Sequence, residues 1–250
     1  MKRRALLGAA GMAGLAGCIG ELDGILGEDD PDCPSSYDGI DFDPIEDRDD
    51  AVLGPPECPR GSPSHPTYGD TFPDFTVPDP HAETTVSRDD LLADGPLVMT
   101  YIFTNCPDRC PELMGILSVI QNDAIEDGWD DDVTLAAMTW DPARDDAAAL
   151  RNYGEVHGID VDHEQFRLLR PETNEEAIEL VDETFGVPAQ HGDDDHDHDD
   201  SGDDGHVHYY MIFIVNGDGV VERSYPGPIL FYRSPDDIAT DVRTVVTENA

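Results

Sequence analysis

The chain has 250 residues and a formal net charge of −42 at pH 7, from 14 basic and 56 acidic side chains. Its length suits one ordinary domain with appended segments, and a hydrophobic content of 38% is sufficient for a core. So few basic residues cannot neutralise nucleic-acid phosphates, which excludes a nucleic-acid-binding function, and we interpret the acidic surface as a halophilic adaptation to a saline environment.

Residues 1–18 have the form of an export signal. A basic start that includes Arg3 and Arg4 is followed by a small and apolar stretch, Ala5–Gly17, which is too short to span a bilayer comfortably. The paired arginines resemble a twin-arginine signal, and Leu15–Cys18 resembles the lipobox of bacterial and archaeal lipoproteins. Cys18 would then become the lipidated first residue, and an uncleaved membrane anchor is the alternative. Both interpretations place the protein outside the cytoplasm, anchored to the outer face of the cell membrane.

Residues 19–67 are rich in Asp, Glu, Gly and Pro and contain few spaced apolar residues. This composition buries too little surface to offset the entropy lost on ordering, so we predict a disordered acidic tether. The tether contains Cys33 and Cys58. In an exported protein these two are most simply a structural disulfide, with a metal or redox role as the alternative.

The pattern of a globular domain begins near residue 68 and includes a strand–helix–strand unit. Leu97–Phe103 and Val133–Thr139 are nearly continuous apolar runs, which is typical of strands covered on both faces. A right-handed crossover would make these two strands parallel. The helix between them has an apolar face formed by Leu113, Ile116, Leu117, Ile120 and Ala124.

The next elements are shorter. We expect a helix to begin at Asp141-Pro142, where the carboxylate can cap free amides, and a strand at Phe166–Leu169. Thr173 and Glu176 form a predicted capping box for a further helix, which Gly186 ends.

The remaining elements are a hairpin and a final helix. Tyr209–Val215 and Val220–Tyr225 flank the turn Asn216–Gly219, which is a strong hairpin signal. Ser234-Pro235 opens the last helix. Its inward residues are expected to be Ile238, Val242, Val245 and Val246. The elements together predict an α/β fold with a mixed sheet.

Cys106 and Cys110 lie where the first buried strand gives way to a helix. Pro111 lacks an amide hydrogen and is tolerated only in a first turn, which puts Cys106 in the loop and Cys110 in the first turn of the helix. Free amides and the helix dipole at that position favour the thiolate. Sulfurs at this spacing can close a disulfide or bind one soft ion such as copper(I) or zinc.

Three blocks of the sequence form a pattern: the first is Phe103–Pro111, the second is Met138–Asp145, and the third is His208 followed by Tyr209–Val215 and the turn Gly217–Gly219. In this order they resemble the SCO/SenC family of copper chaperones, which have a thioredoxin-like fold. The resemblance implies a thioredoxin-like domain over residues 68–250, with a central mixed sheet flanked by helices. Residues 191–206 are rich in His and Asp and have no apolar anchor, so we predict that they form an inserted, solvated loop.

The resemblance also implies a copper site. Cys106 and Cys110 would bind one copper ion together with His208, and the same two cysteines would form the redox disulfide. Two thiolates and one nitrogen suit trigonal copper(I), and an outer ligand would accommodate copper(II). His206 lies two residues earlier on the same strand face and is the rival ligand, but the distance from His208 to the following turn matches the family.

Other polar residues lie close to these blocks in the sequence. Asp141 matches a family residue near the site and would tune the cysteines, although a helix cap also explains it. Asp108 would orient Arg109 or cap the helix start.

The loop at 191–206 offers imidazoles and carboxylates, which suit copper(II), zinc or nickel, but a saline-adapted surface insertion explains it equally well. Its candidate metal ligands are His191, His196, His198 and His206.

The resemblance implies a membrane-tethered metallochaperone outside the cytoplasm. It would deliver copper to the dinuclear copper centre of a haem-copper (cytochrome c) oxidase, whose copper-bearing subunit is the expected partner.

The alternative is a thiol-disulfide oxidoreductase that reduces the oxidase's copper-ligand cysteines, with Cys106 attacking and Cys110 resolving. A peroxiredoxin-type peroxidase fits neither cysteine, because Thr104 does not have the Thr-x-x-Cys spacing to either. A lipoprotein with two structural disulfides is the remaining alternative.

Overall fold

The computed structural model describes residues 36–37, 40–41, 45–56, 63–106, 109–190, 207–230 and 233–248. In chain order, the elements are β1 (Ser36–Tyr37), β2 (Ile40–Asp41), β3 (Thr76–Asp79), β4 (Thr84–Ser87), α1 (Arg88–Leu91), β5 (Leu97–Ile102), α2 (Cys110–Asp127), β6 (Thr134–Thr139), α3 (Ala147–Val156), β7 (Phe166–Leu169), α4 (Asn174–Ile178), β8 (Ala189–Gln190), β9 (Val207–His208), β10 (Met211–Val215), β11 (Val221–Pro226), α5 (Gly227–Leu230) and α6 (Pro235–Glu248). A 3-10 turn at Asp130–Asp132 precedes β6, and α4 continues as a π-helical turn, Glu179–Thr184.

The core is a five-stranded mixed sheet in the order β11-β10-β5-β6-β7. Strands β5, β6 and β7 are parallel, whereas β10 is antiparallel to both β5 and β11. Every residue of β5 and β6 is buried, as their continuous apolar runs predict. The strand–helix–strand unit is therefore confirmed, with α2 as the crossover between β5 and β6.

The apolar faces of the long helices are those predicted from their spacing. In α2, Leu113, Leu117 and Ile120 are buried, and the helix ends at Gly128, whose φ of +73° is the left-handed conformation of a helix C-cap. Helix α6 packs against α2. Its buried residues are Ile238, Ala239, Val242, Val245 and Val246.

The capping predictions are partly corrected. The helix expected at Asp141-Pro142 begins later, at Ala147, because the chain first makes a turn and Asp146 then caps the helix by accepting from the amide of Ala149 at 2.8 Å. Thr173 caps α4, with its hydroxyl accepting from the amide of Glu176 at 3.2 Å, but the predicted capping box does not close, because the carboxylate of Glu176 accepts instead from the amide of Glu172 at 2.9 Å.

The hairpin of β10 and β11 has the predicted turn. The side-chain oxygen of Asn216 accepts from the amides of Asp218 at 3.1 Å and Val220 at 3.0 Å, which closes the turn locally. The start of α6 is also as predicted, since the hydroxyl of Ser234 accepts from the amide of Asp237 at 3.1 Å.

Residues 45–56, which we call the N-terminal strap, differ from the disordered tether expected over this part of the chain. Leu53 in the strap is buried, and Glu222 of β11 is fully buried beneath it. The carboxylate of Glu222 accepts from the amides of Val52 at 2.7 Å and Leu53 at 2.9 Å. The strap is ordered by a buried acceptor on the domain, so its order cannot be predicted by counting the strap's own apolar residues.

Within the described residues, no helix is long and apolar enough to cross a membrane.

Candidate metal centre

Cys106 and Cys110 lie in the segment that leads from β5 into α2. The amide of Cys106 donates to the carbonyl of Phe103 at 3.2 Å, which turns the chain at the end of the strand. Cys110 is the first residue of α2, and its amide donates to the Sγ of Cys106 at 3.4 Å. The predicted positions in loop and first turn are therefore confirmed. Both residues are buried, with 8% exposure for Cys106 and 0% for Cys110.

Burial, rather than the helix dipole, determines the direction in which the pKa of the Cys110 thiol is shifted. Its pKa is raised well above the ordinary value, first by burial and then by the hydrogen bond and the charge of Cys106. The expectation that the helix start favours the thiolate is therefore wrong for Cys110. A bound cation would reverse this balance, because a thiol that coordinates a metal ion is deprotonated.

Asp145 ties the cysteine loop to the end of β6. It is fully buried, and one of its oxygens accepts from the amide of Thr104 at 3.0 Å and the hydroxyl of Thr139 at 2.6 Å, while the other accepts from the hydroxyl of Thr104 at 2.5 Å. Burial raises the pKa of Asp145, and these hydrogen bonds partly oppose the rise. The sequence analysis did not single out Asp145, although it is the last residue of the Met138–Asp145 block.

Asp141, which the sequence did single out, lies beside Asp145. Its buried carboxylate accepts from the side-chain amide of Asn174 at 3.2 Å and pairs with the guanidinium of Arg144 at 3.4 Å. The alternative explanation, a cap on the following helix, is wrong because Asp146 caps α3. The charge of Asp141 contributes to the raised pKa of Asp145.

An aromatic pair lines the same end of the sheet. Phe103 follows β5 and Trp140 follows β6, and their rings pack edge to face with centroids 5.1 Å apart. Both residues are buried. They belong to the same hydrophobic core as the two cysteines.

The backbone of His208 lies at the same end of the sheet. It belongs to β9, which pairs with β8 so that His208 is opposite Ala189. Strand β10 begins at Met211, and Ile212 is opposite Thr100 of the antiparallel β5. The amino end of β10 and the carboxyl end of β5 therefore lie together. Among the side chains that the structure describes, no three histidine, cysteine or acidic groups form a metal site.

Several predicted residues lie outside the described part of the chain. They are Cys18, Cys33, Cys58, Asp108, His191, His196, His198 and His206.

A family model for SCO1/SenC matches residues 66–247, which include both cysteines and His208. The chain belongs to the SCO1/SenC family. This membership, together with the mixed sheet flanked by helices, confirms the thioredoxin-like fold.

Individual members of the SCO1/SenC family are similar over most of the domain. The chain is 30% identical over 149 residues to "Protein SCO2 homolog, mitochondrial" of Danio rerio, a match that covers 59% of this chain and 48% of that protein, so the chain spans about half the length of this relative. It also superimposes on BsSco, which is described as a member of the Sco family of cytochrome c oxidase assembly proteins and as having a disulfide switch. The TM-score is 0.54 at 21% identity, and the match covers 74% of this chain and 98% of BsSco. For ScoI of Bradyrhizobium japonicum with copper bound, the TM-score is 0.50 at 21% identity, with 71% and 99% covered.

Proposed function

We propose that this protein binds one copper ion at Cys106, Cys110 and His208 and delivers it to the dinuclear copper centre of a cytochrome c oxidase. The observation that carries the proposal is the pair of buried cysteines that the end of β5 and the start of α2 bring together in a SCO1/SenC domain. The copper-bound ScoI and the oxidase-assembly role given for BsSco support it.

The donor set fits copper(I). Thiolates and an imidazole are soft or borderline ligands, which select copper(I) over calcium or magnesium. Two thiolates in a buried site are costly without a compensating positive charge, since burial raises the pKa of Cys110. A bound monovalent cation supplies that charge, so the ion and the two ionised sulfurs stabilise each other.

Transfer to the oxidase subunit proceeds by ligand exchange in this proposal. Cys106 is the more exposed of the two cysteines, with 8% against 0%. A thiolate of the recipient bonds to copper as the Cys106 thiolate leaves and takes up a proton, and the oxidation state of the copper does not change. We further propose that the export signal and a lipid on Cys18 hold the domain at the outer face of the membrane, where the copper-bearing subunit is its partner. This placement is supported by the lipobox resemblance of Leu15–Cys18.

The test is a competition titration of the reduced protein with copper(I) and a chromophoric chelator in high salt. We expect one equivalent of tight binding, weakened by more than about a hundredfold in Cys106→Ala, Cys110→Ala and His208→Ala, because loss of a ligand exceeds the cost of losing its supporting partners. His206→Ala is the matched control and should bind as the parent does. Binding that is indifferent to the cysteines would refute the copper site.

A thiol-disulfide oxidoreductase is the second candidate, favoured by the contact of the Cys110 amide with the Cys106 sulfur. In this reaction the Cys106 thiolate attacks a disulfide of the oxidase subunit, and Cys110 then displaces the reduced partner. Two electrons and two protons pass to the partner as the Cys106–Cys110 disulfide forms. Cys110→Ala should trap the mixed disulfide, and His208→Ala should leave the exchange rate nearly unchanged. No trapped adduct with Cys110→Ala would exclude this activity.

A further inference from the structure

Uncharged residues form a surface patch beside His208. The amide of Tyr209 donates to the carbonyl of Pro188 at 3.1 Å, and the amide of Gly227 donates to the carbonyl of Tyr210 at 2.8 Å. The last residue of β11, a proline, is paired with the first residue of β10. Two members of the patch are exposed and three are half-buried. We define the Tyr209 patch as Pro188, Tyr209, Tyr210, Pro226 and Gly227.

The Tyr209 patch lies at the same end of the sheet as the cysteines. It leads directly into the amino end of β10, which lies beside the carboxyl end of β5, and β5 leads into the cysteine segment. We call this end of the sheet the cysteine end. Two arginines near the cysteines are paired with carboxylates, Arg109 with Glu112 at 2.6 Å and Arg144 with Asp141 at 3.4 Å.

Tyr209 itself is exposed to an extent that is uncommon for a large apolar side chain in this protein. Among the described residues, those exposed are Ile125 at 43%, Val156 at 70% and Tyr209 at 52%. Ile125 lies near the carboxyl end of α2, and Val156 is the last residue of α3. Both helices begin at the cysteine end and run towards the opposite end of the sheet. Of these three side chains, Tyr209 is therefore the one beside the cysteines.

The opposite end of the sheet is acidic. Exposed carboxylates occupy the segments that precede β5, β6 and β7 and the turn between β10 and β11. Six of them are Asp94, Asp132, Asp160, Asp162, Glu164 and Asp218. A partner that covered this surface would remove charges from water, which is costly unless each charge is paired. Covering the Tyr209 patch removes no charge from water, so a partner is accommodated there at lower cost.

Delivery of copper requires contact at the cysteine end. In the proposed ligand exchange, a thiolate of the recipient has to reach an ion held by Cys106, whose exposure is 8%. The recipient must then cover the surface around the cysteines, which includes the Tyr209 patch. Tyrosine is enriched among the residues that dominate the binding energy of interfaces, because its ring gives a large contact area at a small cost in conformational entropy.

We propose that the Tyr209 patch is the docking surface for the copper-accepting protein, and that this partner presents an uncharged, apolar surface beside the cysteines that receive the ion. The inference rests on the proposed function and names the chemistry of its partner. The ring of Tyr209 is the anchor of the contact. Copper coordination is left to the two cysteines and His208, so docking and copper affinity depend on different residues.

The experiment measures copper(I) transfer from the full reduced chain to the copper-free soluble domain of the oxidase's copper-bearing subunit from the same organism. In Tyr209→Ser, the concentration of this domain that half-saturates the transfer rate should rise about tenfold, while the limiting rate stays the same. Tyr209→Phe keeps the ring and should behave nearly as the parent does. Val156→Ser is the matched control, because it removes a more exposed apolar side chain from the opposite end. Copper(I) affinity, and transfer to glutathione as a small acceptor, should be unchanged in all three variants.

Each other outcome overturns the inference. An unchanged half-saturating concentration in Tyr209→Ser refutes the docking surface and leaves the copper site standing. Weaker copper(I) binding by Tyr209→Ser would mean that the ring supports the metal site instead, and an equal effect in Val156→Ser would mean that the contact is not specific to the patch. If the parent binds copper(I) and passes it to glutathione but not to the subunit domain, the proposed recipient is wrong and the inference falls with it. If the parent binds no copper, the proposed function itself fails.

Discussion

Replacing Asp145 with alanine tests whether one buried carboxylate holds the cysteine loop on the sheet. The side chain is fully buried and accepts three hydrogen bonds, two from Thr104 and one from Thr139. At about 1 to 1.5 kcal/mol for each buried hydrogen bond, the loss would be about 3 to 4 kcal/mol in the free energy of unfolding. Burial raises the pKa of Asp145, so the desolvated charge offsets part of that gain and we expect the lower end, about 3 kcal/mol.

Asp145→Asn is the matched control. The amide keeps one oxygen for the Thr104 amide and the Thr139 hydroxyl, and its nitrogen can donate to the Thr104 hydroxyl, which is able to turn. We expect a loss of about 1 kcal/mol in urea unfolding at neutral pH. Release of the loop in Asp145→Ala should also speed the alkylation of Cys106 by maleimide. An alanine variant that loses less than about 1 kcal/mol, or no more than the asparagine variant, would refute the reasoning.

The same comparison has a pH dependence of known sign. Because the pKa of Asp145 is raised in the folded protein, the folded state binds this proton more tightly than the unfolded state does. The parent should therefore gain stability relative to Asp145→Asn as the pH falls through the raised pKa, and the gain should level off below the ordinary carboxyl pKa. A difference between the two proteins that shrinks on acidification would show that the pKa is lowered instead.

Three further predictions concern the strap, one glycine and the histidine-rich loop. Glu222→Ala should destabilise the protein by about 3 kcal/mol in urea unfolding and expose the N-terminal strap to proteolysis, whereas the exposed Asp50→Asn should do neither. Gly186→Ala should lower the melting temperature strongly, because the φ of Gly186 is +63° and a Cβ there would lie 2.0 Å from the carbonyl oxygen of Ser64. Gly217→Ala is the control and should leave the melting temperature nearly unchanged, because no atom lies within 4 Å of the new Cβ. Deletion of residues 191–206 should remove weak nickel binding, measured by calorimetry, and leave the copper(I) affinity intact.

The elements that the sequence predicts well are those whose signal is local. The continuous apolar runs of β5 and β6 and the apolar face of α2 are visible in the sequence itself, and the turn of Asn216 is a short-range motif closed by its own side chain. The place of Cys110 in a first helical turn likewise follows from the neighbouring Pro111.

The features that the sequence does not predict depend on distant contacts. Asp145 matters because Thr104 and Thr139 follow or end two different strands, which only the parallel pairing brings together. The expectation of a thiolate at Cys110 considered only the start of its helix, whereas the pKa of Cys110 is raised mainly by burial in the folded protein. The strap is ordered by Glu222, which lies about 170 residues further along the chain.

The acidic side chains and the buried thiols of this protein favour different metal ions. Most acidic side chains that the structure describes are exposed and offer hard oxygen ligands, which bind divalent ions and bind copper(I) poorly. High salt screens the long-range attraction of this surface for any cation. In the proposed copper site, selection of copper(I) would come from the sulfurs, because burial of Cys106 and Cys110 keeps them away from the hydrated ions that the carboxylates attract. A soft ion that sheds its water readily can enter such a site, whereas a strongly hydrated ion would have to give up more hydration than two thiolates and an imidazole return.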